Sequence, residues 1–214
     1  MTTNIFDQLS AAVVALNQAE VIRLAERVVR SEIDPAKAIE KGIVVGMEEV
    51  GRRFACHEFF VPEVLVASKV AQSGIVILQS AIKTLPIRHG TILLAVVKGD
   101  IHDLGKNIVR VMLETAGFNV IDLGKNVAVE RILSEIEAKH IDLIALSTLM
   151  TTTMPLMADS VATVKNNFNS LPVMVGGAPL TDEFARSIGA DWYGENAHAA
   201  VVGARKLLGI SVEG

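Results

Sequence analysis

The chain has 214 residues, of which 50% are hydrophobic, 4% are aromatic and one is a cysteine. Its 20 basic and 24 acidic side chains give a formal net charge of −4, and no basic cluster is interleaved with aromatic residues, so nucleic-acid binding has no electrostatic support. The single cysteine excludes an internal disulfide, and the length allows one large core or two smaller ones.

The sequence predicts neither membrane insertion nor export. No uncharged stretch has the length and apolarity of a bilayer span, because the most apolar one, residues 143–158, is interrupted by serine, threonine and proline. The segment Met1–Asp7 lacks the basic and apolar regions of a signal peptide. We therefore expect a cytoplasmic protein that does not contact membranes.

Residues 1–88 carry helical periodicity and almost no strand signal. Asp34 precedes Pro35, a pair typical of a helix start, because aspartate caps free N–H groups and proline fits the first turn. Four helices joined by short loops indicate an antiparallel four-helix bundle. The predicted helices are Ile5–Leu16, Gln18–Ser31, Pro35–Phe54 and Pro62–Leu85.

From residue 89 to residue 214 strands alternate with helices, which predicts a parallel sheet. The pattern favours a five-stranded, doubly wound α/β domain of the flavodoxin or Rossmann-like type. The predicted strands are Thr91–Val97, Asn119–Leu123, Leu143–Leu146, Val173–Val175 and a segment near Asp191–Tyr193. The predicted helices are Lys106–Thr115, Ala128–Lys139, Pro155–Asn166, Asp182–Ile188 and Ala197–Leu208.

Asp100 and His102 lie two positions apart in the loop that leaves the first predicted strand. In open α/β sheets the carboxyl ends of the strands form the ligand-binding edge. An imidazole there can bind a metal through one ring nitrogen while the aspartate holds the other ring N–H. The alternative is structural: Asp100 caps the following helix and His102 is a solvated loop residue.

Two further loops belong to the same predicted edge. Ser147, Leu149 and Thr151 follow the third strand, and Gly176-Gly177 follows the fourth. A glycine pair lets the backbone approach a ligand closely, although a tight turn would also explain it. Three successive loops with polar or glycine-rich sequences therefore favour a ligand site.

A phosphate-binding loop is disfavoured by spacing. Gly105-Lys106 looks like half of such a motif, but five residues separate Gly99 from Gly105 where four are needed. Asn107 also stands where serine or threonine would bind magnesium.

The pattern Asp100-x-His102-x-x-Gly105, followed by Ser147-x-Leu149 and then Gly176-Gly177, resembles the fingerprint of cobalamin-binding domains. The segments 47–54 and 59–63 look like the helical cap domain that precedes the cobalamin domain in methionine synthase. These features span nearly the whole chain, which is similar to the corrinoid proteins of anaerobic methyltransferase systems. The resemblance implies a cap domain over residues 1–88 and a cobalamin-binding domain over residues 89–214.

The resemblance also implies a role for each matching residue. His102 would be the lower axial ligand of cobalt in a base-off, His-on arrangement, Asp100 would bond its imidazole, and Ser147 would extend this relay. The remaining expected cofactor contacts are Asp103, Gly105, Leu149, Thr151, Gly176 and Gly177 at the displaced nucleotide tail or the corrin, and Phe60 over the upper corrin face.

The implied function is that of a corrinoid methyl carrier. One methyltransferase would load a methyl group from methanol, a methylamine, a betaine or an aryl ether onto cob(I)alamin. A second would pass it from methylcob(III)alamin to a thiol or a tetrahydrofolate acceptor, and a reductive activator would restore the reduced cofactor. The chain would thus be a non-autonomous subunit of a methyltransferase system. A cobalamin-dependent sensor or regulator built on the same domain is the alternative.

Overall fold

The computed structural model of the protein describes residues 4–82 and 89–210. The chain divides into two compact units, Met1–Ile87 and Arg88–Gly214. The first is helical and the second is an α/β unit, as the sequence predicts.

The helical unit begins each of its first three helices with a capping side chain. Asn4, Asn17 and Asp34 accept hydrogen bonds from backbone N–H groups of the turn that follows. The expected Asp34 cap is thereby confirmed, with Asp34 Oδ1 2.9 Å from the N–H of Ala36. The helices are α1 (Ile5–Val14), α2 (Gln18–Val29), α3 (Pro35–Ala38), α4 (Val45–Ala55) and α5 (Val61–Ser80), and a π-helical segment, Ile39–Val44, joins α3 to α4.

The predicted single helix over Pro35–Phe54 is therefore divided by a π-helical segment. Two glycines in this region contact α1 closely: a Cβ on Gly42 would lie 2.9 Å from Leu9 Cβ, and one on Gly46 would lie 2.9 Å from the Ser10 carbonyl oxygen. Helix α1 ends earlier than predicted because Leu16 has a positive φ of 57°. The predicted end of the last helix, residues 83–85, lies outside the described residues.

Helix α5 is the one helix among the described residues that is long and apolar enough to cross a membrane. It carries a buried face at helical spacing, and a Cβ on Gly74 would lie 2.7 Å from Val21 of α2. This is the pattern of a helix packed inside a protein core. The buried residues of α5 are Val64, Ala67, Val70, Ala71, Gly74, Ile75 and Leu78.

The α/β unit contains a five-stranded, all-parallel sheet in the order β2-β1-β3-β4-β5. This is the strand order of the doubly wound, flavodoxin-like fold, and the predicted fold class is confirmed. The strands are β1 (Thr91–Val97), β2 (Asn119–Val127), β3 (Leu143–Ser147), β4 (Val173–Gly176) and β5 (Trp192–Gly194). The helices are α6 (Leu104–Thr115), α7 (Val129–Ala138), α8 (Met154–Asn167), α9 (Asp182–Ser187) and α10 (Ala197–Leu207), and a 3₁₀ turn, Thr151–Thr153, precedes α8.

The chain reverses its direction across the sheet between β1 and β3. After β1 it runs to the edge strand β2, then returns to pair β3 with the other side of β1. In such folds the loops after these two strands diverge and leave a crevice at the carboxyl edge. The three loops singled out in the sequence follow β1, β3 and β4. These strands are neighbours in the sheet, since β1 pairs with β3 and β3 pairs with β4.

Strand β2 is longer than predicted and continues past Leu123 to Val127. Its register against β1 shifts between Leu94 and Ala95 and again between Ala95 and Val97. Helix α6 begins at Leu104, two residues before its predicted start.

Candidate functional site

Asp100 lies in the loop between β1 and α6, and its side chain is completely buried. Its Oδ1 accepts hydrogen bonds from His102 N–H at 2.9 Å and from His102 Nδ1 at 2.8 Å. Its Oδ2 accepts from the Thr148 hydroxyl at 2.9 Å and from Leu149 N–H at 2.5 Å. These four bonds occupy the acceptor sites of the carboxylate, which makes Asp100 a fixed, fully bonded anion.

These bonds also keep Asp100 ionised. Burial pushes its pKa upward, but the hydrogen bonds from the Leu149 and His102 backbones, the His102 ring and the Thr148 hydroxyl outweigh burial and lower the pKa to about 2. The structural alternative for Asp100 is not observed: it makes no side-chain cap on α6, whose first turn is preceded by Asp103.

An ionised carboxylate only accepts hydrogen bonds, and this fixes the tautomer of His102. The proton of the neutral imidazole must lie on Nδ1, 2.8 Å from Asp100 Oδ1. Nε2 then carries the free lone pair on a side chain that is 49% exposed. The pair thus offers one unprotonated, oriented nitrogen, which is what a metal ligand requires.

A chain of hydroxyl groups continues from Asp100 into the protein. The Thr148 hydroxyl donates to Asp100 and lies 2.6 Å from the Thr153 hydroxyl. Thr148 donates its only proton to the carboxylate, so a hydrogen bond between the two hydroxyls has Thr153 as its donor. The single proton of Thr153 is then divided between Thr148 and the Met150 carbonyl oxygen, 2.9 Å away. Both threonines are buried.

The expected relay through Ser147 is corrected by this geometry. In the described part of the chain, the hydroxyl on Asp100 comes from Thr148, and no hydrogen bond joins Ser147 to Asp100. Ser147 is the last residue of β3, so its side chain and that of Thr148 leave the strand in different directions. Sequence reasoning missed Thr148 and Thr153; the run of hydroxyl residues after β3 was the available signal.

The glycine pair brings the loop after β4 against the loop after β3. Gly177 has a φ of +137°, and a Cβ there would lie 1.7 Å from the Thr148 carbonyl oxygen. A Cβ on Gly176 would lie 2.9 Å from the Gly194 carbonyl oxygen. The Gly176 carbonyl accepts from Thr148 N–H at 3.1 Å. Only glycine fits at Gly177, so the glycine pair lets the loop after β4 pack directly against Thr148.

Apolar side chains are exposed next to the histidine. Ile101 and Leu104, which flank His102 in its loop, are 62% and 59% exposed, and Leu149 is 49% exposed. Around Gly105 there is open space, since a Cβ there would meet nothing within 4 Å. Exposed apolar groups beside an oriented ligand nitrogen indicate a surface that a large, partly apolar ligand covers.

The other predicted site residues occupy separate positions. Asp103 precedes α6, and its carboxylate lies 3.8 Å from Lys125 Nζ. Thr151 is exposed at the start of the 3₁₀ turn. Phe60 belongs to the helical unit, where it is 62% exposed and its N–H donates to Glu63 at 2.9 Å. The roles proposed for these three residues remain predictions.

Lys106 does not resemble the lysine of a phosphate-binding loop. Its side chain is 1% exposed and forms an ion pair with Asp122 of β2. It also donates to Asn107 Oδ1 at 2.9 Å. Its ammonium is therefore engaged within the protein, in agreement with the exclusion based on spacing.

The site supplies one candidate metal-binding nitrogen, that of His102. The described residues contain no group of three or more His, Cys, Asp or Glu side chains that could hold an ion. One imidazole with exposed apolar neighbours suits a metal whose other ligands come from an organic ring. Fold and site thus define an α/β protein with one oriented imidazole nitrogen, Nε2 of His102, at the ligand-binding edge of its sheet.

Comparison with known families gives the same result. Residues 90–202 match the family described as "B12 binding domain", and residues 5–79 match a second family with that description. The chain belongs to the B12-binding proteins, and the resemblance drawn from its motifs is confirmed.

Known relatives cover almost the whole chain. "Dimethylamine corrinoid protein 1" of Methanosarcina acetivorans is 37% identical over 95% of this chain and 97% of its own length. A solved cobalamin-binding protein from Desulfitobacterium hafniense is 30% identical, with a TM-score of 0.83 over 94% of this chain and 98% of its own. The methanol:cobalamin methyltransferase complex MtaBC of Methanosarcina barkeri contains a chain that is 26% identical, with a TM-score of 0.81 over 99% of this chain and 82% of its own.

Proposed function

We propose that the chain is a corrinoid methyl carrier that works with separate methyltransferases. The observation that carries this proposal is the buried Asp100 carboxylate, which fixes the His102 ring with Nε2 free, in a protein of the B12-binding family. The relatives named for dimethylamine and for methanol support a role in methyl transfer.

In this proposal His102 Nε2 is the lower axial ligand of cobalt, in a base-off, His-on arrangement. The corrinoid, when bound, supplies a cobalt centre that takes up and releases the methyl group. Asp100 keeps the proton of the imidazole on Nδ1 and so keeps Nε2 directed at the metal.

The nucleotide tail of the cofactor is proposed to lie where the three loops converge. Gly105 provides open space at the start of α6. Ser147, Leu149 and Thr151 extend along the loop after β3, and Gly176-Gly177 forms the loop after β4. Exposed Ile101 and Leu104 are proposed to contact the corrin ring, with Asp103 beside them.

The proposed partners are two methyltransferases and a reductive activator, in the cytoplasm. The first methyltransferase takes the methyl group from a small donor, and the second gives it to a thiol or a tetrahydrofolate. We propose a methylated amine as the donor, because a relative that is 37% identical over nearly its full length is named for dimethylamine.

The test is transfer of label from a donor to the protein. The protein reconstituted with reduced hydroxocobalamin is incubated with ¹⁴C-methyl dimethylamine and a purified dimethylamine:corrinoid methyltransferase, then separated by gel filtration. We expect protein-bound label that depends on the methyltransferase and is lost in His102→Ala. Parallel reactions use trimethylamine and methanol with their own methyltransferases. A corrinoid-loaded protein that takes up no label from any of these donors would contradict the methyl-carrier proposal.

A further inference from the structure

We propose that Asn126, at the end of β2, is a positioning residue for the His102 loop. The inference rests on the proposed role of His102 as the cobalt ligand. None of the loops identified by motif contains Asn126, and the predicted strand ended before it.

Asn126 bonds the His102 loop through both its backbone and its side chain. Its N–H donates to the Asp100 carbonyl oxygen at 2.9 Å. Its Oδ1 accepts from Gly99 N–H at 2.8 Å. Gly99 has a φ of +85°, so the side chain of Asn126 fixes the turn at which the chain leaves β1 and enters the site.

The backbone of Asn126 is unusual for a strand residue. Its φ is +53°, in the left-handed region that non-glycine residues rarely adopt, although asparagine tolerates it better than most. Gly124, two residues earlier, has a φ of +85°. These turns accompany the second register shift between β1 and β2, which ends the regular ladder at Val97 and Val127. The distortion brings both polar groups of Asn126 to the loop after β1.

Asp100 is consequently held from two sides. Thr148 and Leu149, after β3, bond its carboxylate, and Asn126, on β2, bonds its carbonyl oxygen. Because the carboxylate sets the His102 ring, the position of Nε2 depends on both bonds of Asn126, the one to the Asp100 carbonyl oxygen and the one from Gly99 N–H. Loss of a group bonded directly to a metal ligand typically lowers metal affinity by about 10- to 100-fold. Asn126 acts one residue further out, so we expect an effect at the lower end of that range.

Two substitutions at Asn126 and one control distinguish the effect of the acceptor oxygen from the effect of the backbone conformation. Asn126→Gly keeps the left-handed φ and the N–H but removes Oδ1, whereas Asn126→Asp keeps an acceptor oxygen. Asn17→Gly is the matched control, because Asn17 Oδ1 also accepts a backbone N–H, that of Glu20, but in the helical unit. Each purified apo protein is titrated with hydroxocobalamin, its absorption spectrum is recorded, and its melting temperature is measured without cofactor.

We expect Asn126→Gly to bind corrinoid about 10-fold more weakly than wild type and to shift toward the spectrum of His102→Ala. Asn126→Asp should restore the wild-type spectrum, and Asn17→Gly should keep both affinity and spectrum. Wild-type affinity and spectrum in Asn126→Gly would overturn the proposal. So would a loss of cooperative melting in both Asn126 variants, which would give the residue a merely structural role.

The comparison of wild type with His102→Ala tests the proposed ligand separately. If these two spectra agree, the ligand assignment fails and the Asn126 inference falls with it. If they differ while Asn126→Gly matches wild type, only the Asn126 inference fails. Methyl transfer is not measured here, so a failed donor assay leaves this result intact.

Discussion

Replacing Thr148 with valine tests whether the buried hydroxyl stabilises Asp100. Valine keeps the shape of the side chain but removes one of the four hydrogen bonds to a completely buried carboxylate. A hydrogen bond to a charged group contributes about 1.5–3 kcal/mol. Thr153 loses an acceptor too, but it lies 2.9 Å from the Met150 carbonyl oxygen, which can take its proton instead. We therefore expect Thr148→Val to destabilise the apo protein by about 2 kcal/mol.

The assay is thermal unfolding of the apo protein, followed by titration with hydroxocobalamin. A loss of about 2 kcal/mol corresponds to a fall in melting temperature on the order of 5–10 °C, and corrinoid affinity should fall by about 10- to 100-fold. Thr148→Ser, which keeps the hydroxyl, should recover most of both losses. Ser147→Ala is the matched control for stability, and because the hydroxyl bonded to Asp100 comes from Thr148, this variant should change the melting temperature little. If Ser147→Ala destabilised the apo protein more than Thr148→Val, the assignment of the relay to Thr148 would be refuted.

Three further substitutions give distinct outcomes. Gly105→Ala should raise the stability of the apo protein by roughly 0.5–1 kcal/mol, because alanine favours helix and its Cβ meets nothing within 4 Å. If the cofactor fills this space, the added methyl group should weaken corrinoid binding by about 5- to 150-fold. Unchanged affinity in the titration would place the cofactor slot elsewhere. Gly177→Ala should cost about 3 kcal/mol in thermal unfolding, because its φ of +137° and the 1.7 Å approach to the Thr148 carbonyl forbid a Cβ, and near-wild-type melting would contradict the loop geometry. Glu49→Gln should lower stability at pH 7 by no more than about 1 kcal/mol, since Arg52 and Arg53 lower the pKa of Glu49 to about 2 but the side chains are partly solvated. Because the folded-state pKa is below the ordinary value of 4.5, this contribution is present above pH 4.5 and disappears as the pH falls toward 2; a difference in melting temperature that stays constant with pH would contradict it.

The sequence predicted the elements whose signals are local and periodic. Strand β1 was predicted with its observed bounds, Thr91–Val97, because a fully buried central strand is a continuous apolar run. The Asp34 cap and the helical character of the first unit followed from local rules in the same way. The loop with Asp100 and His102 could be placed at the ligand edge because the alternation of strands and helices determines which strand ends meet there.

The remaining features depend on tertiary contacts. Thr148, and not its neighbour Ser147, reaches Asp100, and that choice is set by where β3 ends and by the Gly177 loop packed against it. The extension of β2 to Val127 depends on register shifts against β1. The residues between Leu123 and Val127 are polar or glycine, so their sequence does not predict a strand. The π-helical segment lies where Gly42 packs against α1, a contact with no signature in helical periodicity.

The most direct test of the central claim is the ultraviolet–visible spectrum of the protein reconstituted anaerobically with hydroxocobalamin, for wild type and for His102→Ala. The proposed arrangement predicts that wild type retains one corrinoid per chain with a histidine-ligated spectrum, and that His102→Ala shifts toward the base-off form. The same spectrum in both proteins, or no retained corrinoid in wild type, would contradict His102 as the ligand of cobalt.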